Sequence, residues 1–341
     1  MKQLITIIAC IAVVQFAQAQ QDSVSHYLQQ GEEAASRRQY LPAYNAYKQA
    51  TGFDDSNKEA LKGMADMALE LRYYVIARET YKKLLAQSPK DTALVRQLAE
   101  LNFQTRQFQE TVNLVQQARA MGSNANLDWL AARSYYEMEH YGSCLESIEK
   151  AWKKDSTNAQ MPFIAARCYI EMNNYRRAAG CYEQALRLDP SNNKWMYEAA
   201  MTYSAIPDEA RAIPWFEKAL AAGHPRSNDF LENYANSYYG NKQFDNSIPL
   251  YSEILQRKPQ DMEVLFSLGE SYFYSGKVEQ SIETWDKMLA IDPQQARAVY
   301  MIGIAYMKKG EDNKGKDLCE KAIRMDPSLA KLKEKKSMFG L

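Results

Sequence analysis

The sequence predicts an all-α solenoid, a row of helical hairpins each packed on its neighbours. Three observations predict it. Pro259, Pro293 and Pro327 stand 34 residues apart, and MLAIDP at 288–293 is echoed by AIRMDP at 322–327 and ALRLDP at 185–190. Cut in that phase, the chain shows columns of small residues. Apolar positions 4, 7, 8 and 11 of the period, and again 20, 24 and 27, recur at helical spacing, so each period holds two amphipathic helices.

The first element is a leader. Met1, Lys2 and Gln3 precede the apolar run LITIIACIAVV (Leu4 to Val14), and Ala17-Gln18-Ala19 closes it. One early cation, an apolar stretch and an A-x-A ending describe a secretory signal peptide, 1–19, cleaved after Ala19. The run falls short of the ~20 apolar residues that span a bilayer. Cys10 raises lipidation as a second reading, although the apolar run continues past it. The expected location is the periplasm, the outer-membrane surface or the medium, with no integral membrane span in the mature chain.

Nine units follow. Position 8, position 20 and position 24 hold Gly31, Ala43 and Tyr47 in unit 24–57, then Ala65, Ala77 and Tyr81 in 58–91, and Ala99, Thr111 and Val115 in 92–124. Unit 125–158 has Ala132, Cys144 and Ile148; unit 159–192 has Ala166, Ala178 and Tyr182; unit 193–227 has Ala200, Ala212 and Phe216. Units 228–261, 262–295 and 296–329 contribute Ala235, Ser247 and Tyr251; Gly269, Ser281 and Trp285; and Gly303, Gly315 and Cys319. Position 11 is Tyr in the last six (Tyr135, Tyr169, Tyr203, Tyr238, Tyr272, Tyr306). Small side chains at 8 and 20 let two helices approach, and bulky ones at 11 and 24 fill the space beside them. Gly276-Lys277 and Gly310-Glu311 mark the turns, and the residue before Pro is pushed out of the helical region, which ends the second helix.

These residues resemble the tetratricopeptide repeat, W-x2-L-G-x2-Y…A-x3-F…P. L-G-E-S-Y (268–272) with Ser281, Trp285, Met288 and Pro293 matches it closely, as does I-G-I-A-Y (302–306) with Ala322 and Pro327. The resemblance covers about 24–329 and is weakest at 24–57 and 92–124. The third repeat departs from it at Asn102, which replaces Tyr, and lacks a terminal Pro. The resemblance implies a right-handed superhelix with an extended concave surface. The tail, 330–341, with Lys331, Lys333, Lys335 and Lys336, reads as a polar cap on the last repeat.

Several functions are excluded by composition. Lys+Arg (42) equals Asp+Glu (42), and no basic footprint for nucleic acid is visible. Three His in distant repeats and five Cys without C-x-x-C spacing give neither a metal set nor a triad. No phosphate loop or nucleophile elbow occurs. No catalytic residue, cofactor or metal is expected, and a homo-oligomer is not indicated. Cys168 and Cys181 could cross-link in an oxidising compartment, packing being the simpler role.

Binding remains. In the family, the first helix of each repeat lines the groove at positions 2, 5, 9, 12 and 13. Carried over, these give Phe103, Trp129, Tyr136, Phe163, Tyr197, Tyr239, Phe266, Phe273, Tyr274 and Tyr300, with Arg96, Arg133 and Arg167 among carboxylates such as Glu137, Glu171 and Glu270. Aromatics and Arg are enriched at binding hot spots. Arg133 and Arg167 share a position in adjacent repeats and suit a carboxylate or phosphate; alternatively they pair with Glu137 and Glu171 four residues on. The Lys/Asn carboxylate clamp of chaperone-binding members is absent, since Lys62 is followed by Asp66 and Asn236 stands alone. Pro214 and Pro249, early in second helices, suggest a bend or mere tolerance.

The expected function is therefore an exported, non-enzymatic scaffold that takes a protein or peptide partner in the groove. An accessory subunit of an envelope-assembly or secretion complex is the alternative, and a glycan or small-ligand binder the second.

Overall fold

The computed structural model describes residues 2–122 and 127–331, with side chains from residue 18 onward. Among the described residues every regular element is helical. The helices run as pairs: α1 (Lys2–Ser36) and α2 (Tyr40–Phe53), α3 (Lys58–Glu70) and α4 (Tyr74–Gln87), α5 (Thr92–Gln104) and α6 (Phe108–Ala120). Next come α7 (Asp128–Glu137) and α8 (Tyr141–Lys154), α9 (Gln160–Glu171) and α10 (Tyr175–Leu188), α11 (Asn193–Ala205) and α12 (Glu209–Ala221). The last are α13 (Asn228–Gly240) and α14 (Phe244–Arg257), α15 (Met262–Tyr274) and α16 (Val278–Ile291), α17 (Ala296–Lys308) and α18 (Asp312–Met325). Odd-numbered helices are the first of each repeat. The side chains of 2–17 in the expected leader, with Cys10 and Met1, lie outside the described residues, as do 332–341 of the expected cap. No helix among the described residues is long and apolar enough to cross a membrane.

The chain divides into two compact bodies, Met1–Cys168 and Tyr169–Leu341. In each, helices pack on their sequence neighbours, and first helices of adjacent repeats also touch, as α1 does α3 and α5 does α7. The core of the first body gathers Leu61, Tyr81, Leu84, Val95, Leu98 and Val115; that of the second gathers Leu265, Ile282, Trp285, Met288, Val299 and Ile302.

The two small columns are buried throughout, and the glycines show why. A Cβ on Gly31 would stand 2.7 Å from the Tyr47 ring, and one on Gly63 only 2.5 Å from it, so that ring is clasped between α1 and α3. A Cβ on Gly269 would run into the Trp285 indole. In the last repeat a thiol, Cys319, replaces the ring. The helices close in until a Cβ on Gly303 would stand 2.7 Å from the Gly315 carbonyl, which is why both positions are glycine there. Where position 20 carries a hydroxyl, it is satisfied on its own helix: Thr111 donates to the Gln107 carbonyl (2.9 Å), Ser247 to Phe244 (2.8 Å) and Ser281 to Val278 (2.7 Å).

Each first helix ends in the same left-handed turn. The N–H at position 16 reaches back to the carbonyl at position 11, as in Tyr73 to Ala68 (2.7 Å), Gln107 to Asn102 (2.7 Å), Gln243 to Tyr238 (2.8 Å) and Lys277 to Tyr272 (2.8 Å). This is the Schellman bond, which uses a carbonyl the helix leaves unpaired. Position 15 between them takes positive φ at Gly276 (83°) and Gly310 (87°), but also at Arg38 (56°), Arg72 (59°), Arg106 (60°), Glu139 (60°), Asn173 (56°) and Lys242 (59°). Only the two glycines were legible as turns.

Five of the second helices stop at an aspartate: Asp54, Asp155, Asp189, Asp292 and Asp326. Asp54, Asp155, Asp292 and Asp326 leave the helix with φ of −137° to −148° and accept the N–H two residues on, from Ser56 (3.0 Å), Thr157 (2.9 Å), Gln294 (2.9 Å) and Ser328 (2.9 Å). The side-chain bond from Ser56, with its N–H, holds the Asp54 carboxyl below its usual range, and Thr157 does the same for Asp155. A depressed folded pKa contributes stability above the ordinary carboxylate range that is lost as the pH falls through the folded value. Pro214 and Pro249 break neither α12 nor α14, which run through them. Cys168, for which helix packing was the simpler role, is buried beside Cys144, and neither thiol is in a disulfide.

A residue with a Cβ costs about 1–2 kcal/mol in the left-handed region, part of which glycine forfeits through its greater freedom when unfolded. Lys242→Gly is therefore expected to raise stability by about 0.5–1 kcal/mol, read as an increase in Tm. A decrease would show that the turn is not held as described.

Candidate functional site

The first helices present a wall whose side chains are fixed from beneath. Position 24 tyrosines lie in the core with their hydroxyls threaded outward. Tyr81 donates to Asp66, Tyr182 to Glu198 (2.6 Å) and Tyr251 to Asn236 (2.6 Å). Asp66 also takes the Lys62 ammonium at 2.8 Å. Asp66 and Asn236, the position 9 residues of the second and seventh repeats, are thereby used internally.

The fourth repeat differs. Its position 24 is Ile148, with no hydroxyl to offer, and position 9 is Arg133. The exposed Arg133 guanidinium lies 4.2 Å over the ring of Phe103, on α5, and 6.0 Å from that of Trp129, on its own α7. Phe103 is backed by Phe108 at 5.6 Å. Arg133 does not pair with Glu137; the guanidinium nearest that carboxylate is Arg106, at 3.9 Å. Among the described residues Arg133 has no ion pair, so its fork of donors faces water. Arg96 is different, tied to Glu100 at 2.9 Å. Tyr136 stands 6.2 Å from Tyr141 on the following helix, and Phe163 and Arg167 are half-buried on α9.

In the second body Tyr197 stacks on His224 (4.9 Å) and accepts from the Asn233 amide across to α13 (3.1 Å). Burial, then the Lys194 charge, lowers the His224 imidazole below its usual pKa. Tyr239 donates to Glu270 on α15 (3.2 Å) and meets Tyr274, itself stacked on Phe244 at 5.2 Å. Tyr274 is 46% exposed and is the open end of that cluster.

Three of the expected groove residues are not in the groove. Phe266, Phe273 and Tyr300 are 6%, 7% and 3% exposed and belong to the apolar core of the second body. Two of them are roofed by cations of the next first helix. Arg297 lies 4.0 Å over Phe266, and Lys308 lies 4.3 Å over Phe273 while donating to its carbonyl at 2.9 Å. Long cationic stems cover apolar rings and keep their charge in water. Tyr300 sits beside the core stripe at Val299, and its ring closes onto that stripe. The surface therefore offers Arg297 and Lys308 where aromatics were expected. Both fall at groove positions, 2 and 13, so the period contained the signal.

A hairpin array of this kind, with small and bulky columns locked together and an open first-helix wall, defines a helical-repeat protein. Profiles described as tetratricopeptide repeat match residues 165–224, 210–262 and 296–329, one described as TPR repeat matches 269–310, and one described as anaphase-promoting complex, cyclosome, subunit 3 matches 119–185. The chain is a tetratricopeptide repeat protein. It is similar to the TPR repeat-containing protein YpiA of Bacillus subtilis (strain 168), 25% identical over 114 residues. That match spans 33% of this chain and 27% of the relative. Among solved structures it is similar to YrrB, described as a TPR protein with an unusual peptide-binding site: 25% identity, 56% of this chain, 99% of that one, TM-score 0.45. It is also similar to the TPR domain of P58(IPK), at 15% identity, 89% and 98% coverage and TM-score 0.28.

Burial pushes the Glu270 carboxyl above its usual range, against the opposing Tyr239 hydroxyl and Arg297 charge. A carboxyl held that way binds its proton more tightly folded than unfolded. Stability consequently declines as the pH rises from the ordinary carboxylate value through the raised one. Glu270→Gln keeps the acceptor for Tyr239 and removes the buried charge. Its Tm is expected to exceed that of the unsubstituted chain at pH 8, with the gap closing toward pH 4 in a melt series. A gap independent of pH would contradict the assignment.

Proposed function

We propose that this chain is a non-enzymatic scaffold, exported by its leader at 1–19, that holds an extended segment of a partner polypeptide against the first-helix wall. The observation that carries the proposal is Arg133. A guanidinium seated over two rings and left without a carboxylate presents several donors at a fixed angle. Such a fork favours a carboxylate, from an acidic side chain or a chain terminus. The rings that seat it, Phe103 and Trp129, supply the apolar contact typical of hot spots. In the second body Arg297 also lies over a ring, that of Phe266, but its charge acts on the nearby Glu270 carboxyl.

The test is affinity capture from envelope extracts with the full chain. Arg133→Ala combined with Trp129→Ala is expected to lose the captured partner at least tenfold, as the loss of hot-spot residues does. Lys153→Ala, on the second helix α8, should retain it. Equal capture by all three proteins would sink the wall as the binding face. Fractionation tests the exported location separately: a chain found only in the cytoplasm, with residues 1–19 intact, would refute it.

A further inference from the structure

The third repeat contains a cleft at a place that a tyrosine occupies in the last six repeats. Position 11 is tyrosine in six repeats, and in two of them its hydroxyl reaches the second helix of the preceding repeat. Tyr203 donates to Glu183 (2.5 Å), and Tyr238 to Glu217 (3.1 Å), the same repeat position each time. In the third repeat both members of this pair are exchanged: Asn102 stands for the tyrosine and Lys82 for the glutamate. The space is not closed by repacking. A cleft of about 410 Å³ opens between α4 and α6, with α5 as its floor. Its walls are Leu85, Leu98 and Leu114, and Lys82 and Glu110 stand at its edge. Asn102 lines it, 1% exposed, and its side-chain oxygen has no hydrogen-bond partner. A buried acceptor without a donor is costly, and the volume lies within the range of ligand pockets.

We propose that this cleft takes the tyrosine side chain of a partner polypeptide, supplied from outside where the last six repeats supply their own. The ring lies among the three leucines, and its hydroxyl donates to the Asn102 oxygen, supplying the missing partner. Lys82 at the rim covers the ring as Lys314 covers Tyr306, at 3.5 Å. A phenylalanine would fill the same space and leave Asn102 unpaired, so the site distinguishes the two residues. The cleft lies between second helices, so this contact is separate from the wall around Arg133 and independent of it.

Saturation-transfer NMR and titration on the full chain test this, with N-acetyl-tyrosinamide and N-acetyl-phenylalaninamide as probes. The expected result is saturable binding, with the tyrosine probe favoured about fivefold, the ratio one net hydrogen bond supplies. Asn102→Tyr, which installs the residue of the last six repeats, is expected to abolish binding of both probes while raising Tm. Asn102→Leu is expected to keep part of the ring binding and lose the preference. Absence of saturable binding, equal affinity for the two probes, or binding that survives Asn102→Tyr would each overturn the proposal.

Discussion

Everything in this fold depends on a small residue on each first helix facing a bulky one on its partner helix. At position 8 only Gly or Ala occurs, and at position 24 of the first eight repeats a ring or branched chain fills the space those residues vacate. The contact leaves so little tolerance that a single Cβ at Gly269 would collide with the Trp285 indole. Close-packed interiors resist even one added methylene. The lock therefore fixes how far apart the helices of a pair stand. It also explains the last repeat, where the loss of the ring at Cys319 coincides with glycine at both small positions and near-contact of the backbones.

The same lock orients the functional wall. A core tyrosine whose hydroxyl must find an acceptor reaches through to the first helix and ties down a polar group there, as at Asp66 and Asn236. Where the core residue is Ile148, no such tie exists, and Arg133 lies over aromatic rings with its donors facing solvent. Core composition thus decides which polar groups on the wall remain available to a partner. The Schellman turn, repeated at position 16 of each repeat, returns the chain to begin the second helix.

The fold was legible because steric constraint imposes it at fixed positions, and the period exposes those positions by repetition. The turns were half legible. Gly276 and Gly310 announce a left-handed residue, whereas Arg72 or Lys242 adopts the same conformation without any compositional sign, the two flanking helices overriding local preference. The site was less legible. Trp129, Arg133 and Phe103 meet on the wall, but Phe266, Phe273 and Tyr300 are buried. Whether a ring at those positions faces water depends on the residue the next repeat lays across it, and Arg297 and Lys308 are such residues. Asn102 was visible only as a departure from the column. That the departure leaves a cleft follows from the neighbours' failure to close over it, which no single column reports.

The central claim is that the lock at positions 8 and 24 is steric, and a double-mutant cycle at Gly269 and Trp285 tests it most directly. Alanine exceeds glycine in helix propensity by roughly 1 kcal/mol, so Gly269→Ala should stabilise wherever its Cβ has room. The account predicts a reversal of sign: Gly269→Ala destabilises the chain that carries Trp285, and stabilises the chain that carries Trp285→Leu. Equal stabilisation in both backgrounds would mean that the indole does not hold position 8 to glycine, and would contradict the account.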